Sequence, residues 1–369
     1  MKSTIKYLLL LLIPLFYSCK NNTEIITDEV DEEEEITKPI SDTFYNAVDI
    51  SYYPTIQKKG LTFFNRNGAK RNFLQILKEN NVNTVRLRLW HSPKNEHASF
   101  NEVETFSKEL KRLNFKVWLT VHYSDSWADP GKQVTPKAWE KASYSVLKDS
   151  VYNYTSKIME KINPDVIQIG NEIDPGFLLP IGDINNNKTK FLGLLEEGIL
   201  AVRNHNSETK IMIHKADSKN ASWFFDLVKP LDYDLIGVSY YPKWHGKSLI
   251  DLKNQLSYLE KKYVQKVVLA ETSYPFTLDW NDKNTNVIGS NSEIIYPEFP
   301  ATLKGQKDYF TEVKKIVKSL NKGVGIGYWG AEWVAFEGQN ATNLGSPYEN
   351  QALFDFNLKA TPALEVFKD

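Results

Sequence analysis

Residues 166–172 have the sequence VIQIGNE, an apolar and β-branched run that ends in three residues without a hydrophobic side chain. Such a run is typical of a strand that is buried on both faces. The pattern recurs eight times along the chain, each time with a polar or aromatic end and then a stretch of helical periodicity. Eight alternating strands and helices predict a closed parallel (β/α)₈ barrel of the α/β class, a TIM barrel, rather than an open sheet.

The predicted elements cover most of the chain after residue 40. The eight strands are predicted at 47–53, 84–90, 116–124, 166–172, 210–216, 235–242, 266–275 and 325–333. The clearest helical patterns lie at 65–80, 101–113, 142–162, 190–203, 249–262 and 309–320. We therefore expect one barrel domain over residues 41–369, with its strand ends gathered at one face.

The first 19 residues have the pattern of a secretory signal. Lys2 and Lys6 precede an apolar run at 7–16, and Cys19 follows it. The run is too short to cross a bilayer. A lone cysteine after a small residue at this point resembles a bacterial lipobox, so we expect Cys19 to carry a lipid anchor; the alternative is an ordinary cleaved signal with an incidental cysteine.

Residues 20–40 are predicted to be a disordered tether. Eight acidic residues and two lysines occupy 20–38, with few large apolar side chains. Such a segment cannot bury enough surface to offset its chain entropy. An acidic stretch after a lipid-bearing cysteine resembles the export tag of surface lipoproteins, which predicts an outer-membrane, cell-surface location; a plain solvated spacer is the alternative.

Composition narrows the partners of the barrel. Cys19 is the only cysteine, so the domain has neither a disulfide nor a thiolate metal site.

The net charge of the whole chain is −1, and without the acidic tether the domain is close to neutral. A neutral polymer is therefore a better substrate candidate than a polyanion, nucleic acid is not expected as a partner, and the only membrane contact expected is through the lipid anchor. No organic cofactor motif is recognisable, and a domain with its own core is expected to be a monomer.

Two carboxylates stand out, Glu172 at the end of the fourth predicted strand and Glu271 at the end of the seventh. Strands four and seven face each other across a barrel mouth, and glycoside cleavage needs one protonated and one ionised carboxyl group. A gap of about 5–5.5 Å between them would make the enzyme a retaining hydrolase, in which we expect Glu172 to be the acid/base and Glu271 the nucleophile. The alternative for either residue alone is a structural ion pair.

Polar and aromatic side chains end nearly every strand, and burying them together is costly unless a ligand or a network satisfies them. We expect the following to bind substrate: Asp49, Arg88, His122, Asp125, Trp127, Asn171, His214, Tyr240 and Trp329.

Within that set, three residues receive specific roles. Asn171 is expected to contact the sugar 2-hydroxyl. Tyr240 is expected to hydrogen-bond Glu271, and Arg88 to lower the pKa of that carboxyl. Alternatively, Arg88 only bridges to a barrel acid such as Asp49, and Tyr240 is a packing residue.

Five tryptophans lie at or just past strand ends, where flat aromatic faces can stack on sugar rings. Trp329 is predicted to be the floor of the cleavage subsite. The others are equally compatible with core packing: Trp90, Trp127, Trp244 and Trp333.

At these residues the chain resembles glycoside hydrolase family 53, the arabinogalactan endo-β-1,4-galactanases, over about residues 44–367. The motifs that carry the resemblance are TVRLRLW at 84–90, HYSDSWADPGKQ at 122–133, QIGNE at 168–172, IGVSYYP at 236–242, ETSYP at 271–275 and ENQALFD at 349–355. The resemblance implies cleavage of β-1,4-galactan, a side chain of pectin, by Glu172 and Glu271. A related retaining β-mannanase or xylanase, or a non-catalytic surface glycan-binding lipoprotein, is the alternative.

The chain departs from the family pattern in two places. The family often has Tyr-Trp-Glu-Pro near strand eight, whereas Gly330 and Ala331 separate Trp329 from Glu332 here. Some bacterial members bind calcium in the loop after strand seven. No cofactor is required for the chemistry, but a structural Ca²⁺ is a hypothesis for this loop, with the oxygen ligands Asp279, Asp282, Asn284 and Asn286.

Overall fold

The computed structural model describes residues 44–341 and 345–368. In these residues, eight parallel strands close into a barrel in which the first strand pairs with the last. The strands are β1 (Tyr45–Asp49), β2 (Thr84–Leu89), β3 (Lys116–Val121), β4 (Val166–Ile169), β5 (Lys210–Lys215), β6 (Leu235–Ser239), β7 (Lys266–Thr272) and β8 (Gly323–Trp329). The predicted (β/α)₈ barrel is confirmed.

Helices cover the outside of the barrel. They are α1 (Phe73–Glu79), α2 (Phe100–Arg112), α3 (Tyr144–Lys161), α4 (Lys188–His205), α5 (Ser222–Val228), α6 (Leu249–Lys262) and α7 (Leu303–Lys318). A 3₁₀ segment, Pro362–Lys368, packs on α7 at the position of the last helix. No helix among the described residues is long and apolar enough to cross a membrane. The predicted signal segment 1–19, with Cys19, and the tether 20–40 lie outside the described residues.

Side-chain caps determine where most of these helices begin. Ser99, Ser143, Ser248 and Thr302 each accept a hydrogen bond from a backbone N–H in the first turn of the helix that follows. Such caps satisfy donors that have no partner inside the helix. The cap at Thr302 starts α7 earlier than the apolar pattern of 309–320 indicates.

The predicted helix at 65–80 is wrong in its first half. Phe63–Phe64 and Lys70–Arg71 pair as a short antiparallel hairpin, and only Phe73–Glu79 is helical. Asn65 Oδ1 accepts hydrogen bonds from the backbone N–H groups of two residues in the hairpin loop. A side chain that bonds nearby backbone in this way favours a turn over a helix, and Asn72 then caps α1.

The interior of the barrel changes from apolar to polar along the strands. A buried apolar cluster occupies the lower interior, formed by Ala47, Trp118, Val166, Met212, Leu235, Val268 and Ala270. Alternate residues of a strand face the same side, so the next interior residues after Ala47, Val166 and Met212 are Asp49, Gln168 and His214. The polar site therefore lies directly above an apolar floor.

An irregularity in β7 brings Glu271 to the interior. Val238 of β6 pairs with Leu269, whereas the next residue, Ser239, pairs with Glu271, so β7 has one extra residue at Ala270. Ala270 already belongs to the interior cluster, and strict alternation would direct the following side chain outward. The bulge changes that direction, and Glu271 reaches the barrel mouth.

Candidate active site

A cleft of about 620 Å³ opens at the carboxyl ends of the strands, a size that is usual for ligand-binding pockets. Its charged and polar lining consists of Asp49, Arg86, Arg88, His122, Asp129, Asn171, Glu172, Tyr241, His245 and Glu271, and its remaining lining consists of Trp127, Ala128, Pro130, Ala216, Trp244, Trp329, Trp333, Pro347 and Tyr348.

The two glutamates singled out from the sequence meet in this cleft. A carboxylate oxygen of Glu172, a carboxylate oxygen of Glu271 and a ring nitrogen of His214 lie within 4.8 Å of one another. Two carboxyl groups at such a short separation can act on the same bond. The positions of Glu172 after β4 and of Glu271 in β7 bring them together across the barrel mouth.

The backbone around Glu172 is turned so that its side chain faces the cleft. Gly170 has φ of +80° and Glu172 has φ of +48°. A side chain at Gly170 would place its Cβ 2.4 Å from Ile173 Cγ2, so only glycine fits there. Gln133 Nε2 holds the turn by donating to the carbonyls of Asn171 and Glu172 at 2.8 and 3.1 Å.

Glu172 lies in an environment that favours its protonated form. Burial raises its pKa well above the usual range, and the negative charge of Glu271 raises it further. Its Oε1 accepts a hydrogen bond of 2.7 Å from the Ser239 hydroxyl, which opposes this shift only in part. Glu172 is therefore suited to donate a proton.

Glu271 has the contacts of an ionised carboxylate. Its Oε1 lies 2.7 Å from an Arg86 Nη atom, and its Oε2 accepts a hydrogen bond of 2.9 Å from the Tyr241 hydroxyl. Burial raises the pKa of Glu271, and the Arg86 charge lowers it. Because Arg86 contacts Glu271 directly, we assign the negative charge of the pair to Glu271 and the proton to Glu172.

The prediction that Arg88 lies beside Glu271 is wrong, and Arg86 has that position. Arg86 also pairs with Asp49 Oδ2 at 2.6 Å, its partner in the register of β1 and β2. Arg88 lies one interior position further along β2 and stacks over Trp127, with 4.0 Å from its guanidinium carbon to the ring centre. Both arginines face the interior, so the sequence alone does not indicate which one reaches Glu271.

The prediction for Tyr240 is wrong for a related reason. Ser239 ends β6 facing the interior, so alternation directs Tyr240 outward and Tyr241 inward. The Tyr240 hydroxyl donates to the carbonyl of Gly246 at 2.8 Å, while Tyr241 contacts Glu271. Of the two adjacent tyrosines, Tyr241 therefore has the role that was predicted for Tyr240.

The other predicted substrate-binding residues divide into two groups. Asp49, Arg88, His122, Trp127, Asn171 and Trp329 line the cleft. Asp125 and His214 do not belong to the lining. Asp125 accepts backbone N–H groups of Ser92 and Lys137, which fixes two loops, and His214 is fully buried beneath Glu172.

Aromatic side chains form one wall of the cleft. The Trp329 ring centre lies 6.1 Å from that of Trp127 and 4.7 Å from that of Tyr348. Trp244 is half exposed at the cleft edge, whereas Trp90 is buried outside the lining. Tyr348 lies well past the end of β8 along the chain, so the pattern of polar and aromatic strand ends does not indicate it.

The loop after β7 supplies oxygen atoms of the kind that calcium binds. Asp282 is buried and accepts two backbone N–H groups, and Asn284 and Asn286 donate to backbone carbonyls. The Oδ1 atom of Asn286 and the Oε2 atom of Glu349 are buried without a hydrogen-bond partner among the described residues. Acceptor oxygens without donors fit a hard cation in chemistry, although Asp279 is bonded to a neighbouring threonine.

Comparison with known proteins gives a consistent result. The sequence profile of glycosyl hydrolase family 53 matches residues 45–367. An arabinogalactan endo-β-1,4-galactanase of Cellvibrio japonicus is 33% identical over 344 residues, which cover 88% of this chain and 90% of that protein. A family 53 catalytic domain of Ignisphaera aggregans superimposes with a TM-score of 0.84 at 38% identity, covering 90% of this chain and 97% of that one. A structure described as a fungal β-1,4-galactanase gives 0.76 at 29% identity, covering 88% and 99%.

Proposed function

The chain belongs to glycosyl hydrolase family 53, and on that premise we propose that it is an endo-acting glycosidase that cleaves β-1,4-galactosidic bonds with retention of anomeric configuration. The observation that carries the proposal is the pair of carboxyl groups, the buried Glu271 and the partly buried Glu172, with oxygens within 4.8 Å of each other, of which only Glu271 contacts an arginine among the described residues. Retaining enzymes have carboxyl groups about 5–5.5 Å apart, and inverting enzymes need more room for a water molecule.

In the first step, the Glu271 carboxylate attacks the anomeric carbon while Glu172 donates its proton to the glycosidic oxygen. The bond from the anomeric carbon to that oxygen breaks, and the sugar remains as an ester on Glu271. Arg86 and Tyr241 hold the attacking carboxylate by one contact to each oxygen. The attacking group is therefore fixed before substrate arrives.

In the second step, water attacks the same carbon and Glu172 removes its proton. The ester bond breaks, Glu271 regains its charge, and Glu172 is again protonated. The pKa of Glu172 suits both steps, because the charge that raises it disappears while Glu271 is esterified and returns afterwards.

The substrate proposal, galactan of type I arabinogalactan in pectin, rests on the names of the relatives, together with an aromatic wall and a nearly neutral domain. A related retaining mannanase or xylanase would use the same carboxylates. A non-catalytic glycan-binding protein would not need a protonated and an ionised carboxyl group in contact distance, so an enzyme is the better explanation.

The deciding experiment incubates the full chain with β-1,4-galactan, β-mannan and xylan and follows the new anomers by proton NMR. We expect new reducing ends that appear first as the β-anomer. Because cleavage is internal, the polymer is expected to shorten quickly and longer galacto-oligosaccharides to appear before short ones. The α-anomer would contradict retention, and cleavage of mannan or xylan instead of galactan would contradict the substrate.

Matched variants test the catalytic assignment. Glu172→Gln and Glu271→Gln are expected to lose at least about 10³-fold in kcat on galactan, since each removes one carboxyl group from a coupled pair. Glu160→Gln is the control, because Glu160 is exposed and its ion pair within residues 44–341 and 345–368 is with the exposed Lys161. Activity of Glu271→Gln at the parent rate would overturn its role as nucleophile.

We also propose that Cys19 is lipidated and that the protein is an outer-membrane lipoprotein on the cell surface, tethered by residues 20–40. The support is the order of basic residues, apolar run and lone cysteine at the N-terminus. Mass spectrometry of the mature protein is expected to show a lipid-modified N-terminal cysteine, and Cys19→Ala is expected to release the enzyme from membranes. An unmodified terminus would contradict the proposal.

A structural calcium ion in the loop after β7 is a further proposal, supported by the unpaired oxygens of Asn286 and Glu349. Excess chelator is expected to lower the melting temperature, and added calcium to restore it. Asn286→Ala is expected to abolish that response. An unchanged melting temperature of the parent would contradict the calcium proposal.

We expect the protein to be a monomer, which gel filtration with light scattering can check.

A further inference from the structure

A row of three buried side chains lies behind the acid/base residue and has no part in the mechanism above. Gln168 Nε2 lies 2.8 Å from His214 Nδ1, His214 Nε2 lies 3.0 Å from Ser239 Oγ, and Ser239 Oγ lies 2.7 Å from Glu172 Oε1. Gln168, His214 and Ser239 are fully buried. A buried row of polar groups is costly unless each hydrogen bond is made.

The direction of the first hydrogen bond follows from the orientation of Gln168. Its Oε1 accepts from the indole N–H of Trp118 at 3.3 Å and from the Thr120 hydroxyl at 3.2 Å. An indole nitrogen can only donate. The amide nitrogen of Gln168 therefore faces His214, and Nδ1 of His214 accepts from it at 2.8 Å. Asn171 Oδ1 also lies 3.3 Å from Nδ1, but this oxygen already accepts from Gln168 Nε2 at 3.1 Å, and a hydrogen on Nδ1 would point at the nearer amide nitrogen.

The remaining directions then follow in sequence. A neutral imidazole has one donor and one acceptor, so His214 Nε2 carries the hydrogen and donates to Ser239. The Ser239 hydroxyl has a single hydrogen, and its oxygen already accepts from His214. That hydrogen is therefore donated to Glu172 Oε1.

His214 keeps this form across the working pH range. Burial lowers its pKa well below the usual value, and the Arg86 charge lowers it further. Protonation of Nδ1 would also place a hydrogen against the amide of Gln168. The charged and titratable groups that face His214 are Glu172, Glu271, Arg86, His122, Lys215 and His245.

We infer that Ser239 and His214 are positioning residues for the acid/base: they keep Oε1 of Glu172 as a hydrogen-bond acceptor, so that the proton given to the leaving group is carried on Oε2. If Oε1 carried the proton, the carboxyl hydrogen and the Ser239 hydroxyl hydrogen would both lie between the two oxygens and repel each other. Oε2 has no hydrogen bond with the described residues, and Glu172 lines the cleft. The inference rests on the proposed function, because it assigns the proton that this function transfers.

The pH profile of kcat/KM gives the first test. The Ser239 hydrogen bond favours the ionised form of Glu172 and so lowers its pKa, and the basic limb of the profile reports loss of the acid. Ser239→Ala is therefore expected to move the basic limb upward by about one pH unit, since a hydrogen bond to a charged group is worth about that shift. The charged and titratable groups that face Glu172 are Glu271, Asp174, Arg86, His214, Tyr241 and Tyr348.

A comparison of leaving groups gives the second test. The sugar that leaves during galactan cleavage needs a proton from Glu172. An aryl galactobioside made with a strongly acidic phenol releases a stable phenolate, which leaves without that proton. Ser239→Ala is expected to lose about 10–100-fold on galactan and less than about threefold in the first step with the aryl substrate. Ser239→Thr keeps the hydroxyl and is expected to recover most of the galactan activity.

The control is Ser218→Ala, because Ser218 is also buried and its hydroxyl donates to Gln255, away from Glu172. It is expected to leave the basic limb in place. An unmoved limb in Ser239→Ala, or an equal loss on both substrates, would overturn the inference.

Nitrogen NMR of His214 tests the hydrogen-bond directions without any substrate. A protonated Nε2 and an unprotonated Nδ1 are expected at neutral pH, and the opposite tautomer or a charged ring would overturn the inference. If the parent enzyme left galactan intact, the proposed function would fail, while the His214 spectrum would still decide the hydrogen-bond arrangement.

Discussion

Replacement of Tyr241 by phenylalanine removes one hydrogen bond from Glu271, the proposed nucleophile, and nothing else of comparable size. The Tyr241 hydroxyl donates to Glu271 Oε2 at 2.9 Å in the cleft. The neighbouring Tyr240 donates to the carbonyl of Gly246 instead. Tyr241→Phe and Tyr240→Phe are therefore a matched pair in which only one variant alters the carboxylate.

The expected magnitude follows from the charge on Glu271. A hydrogen bond to an ionised group is worth about 1.5–3 kcal/mol, and one pKa unit corresponds to about 1.4 kcal/mol. The hydrogen bond lowers the pKa of Glu271, so its removal raises that pKa. Because a water molecule can replace part of the lost interaction, we expect a rise of about one unit.

The assay is kcat/KM on galactan across the acidic range. Glu271 must be ionised to attack, so the acidic limb reports its pKa. In Tyr241→Phe this limb is expected to move to higher pH by about one unit, with about a tenfold loss of kcat/KM on the steep part of the limb. Tyr240→Phe is expected to keep the parent limb and to lose about 1 kcal/mol of stability through the unpaired carbonyl.

Two results would refute this reasoning. Identical acidic limbs in the two variants would mean that Tyr241 does not act on the charge of Glu271. A shift in Tyr240→Phe without one in Tyr241→Phe would mean that the wrong tyrosine has been assigned to the nucleophile.

Three further outcomes are expected. Glu332 is fully buried with a pKa raised by burial to about 8, so the free energy of unfolding is expected to fall as the pH rises from about 4.5 to 8; Glu332→Gln should flatten this dependence, and equal slopes in thermal melts would contradict it. Trp244 lines the cleft and is 52% exposed, whereas Trp223 is 47% exposed outside it; Trp244→Ala is expected to raise KM for galactan several-fold and Trp223→Ala to leave KM unchanged. Arg86→Met leaves two buried carboxylates unpaired and is expected to cost about 3–5 kcal/mol in chemical denaturation; a loss below about 1 kcal/mol would argue against the ion pairs.

The architecture could be predicted because it depends on local patterns. Each barrel strand is a short β-branched run, and each helix carries an apolar stripe, so their alternation is visible in the order of residues. The helix at Phe73–Glu79 shows the limit of this approach. Its predicted N-terminal extension is a hairpin because Asn65 bonds to nearby backbone, which hydrophobic periodicity does not register.

The two glutamates could also be predicted, since Glu172 and Glu271 each end a strand run and only a few acidic residues do so. Their partners were harder to choose. Arg86 and Arg88 share one face of β2, and Tyr240 and Tyr241 are neighbours. In each pair the residue type is correct and the position is not.

The sequence by itself determined the order of strands and helices, the barrel class and the position of Glu172 and Glu271 at strand ends that share one face, because these follow from side-chain chemistry and periodicity along the chain. Only the tertiary structure decided which arginine and which tyrosine reach Glu271, and that His214 lies behind Glu172 rather than in the cleft. Those assignments depend on the register between strands and on the extra residue in β7. Register sets the height of a side chain inside the barrel, and it arises from pairing between strands that are distant in the chain.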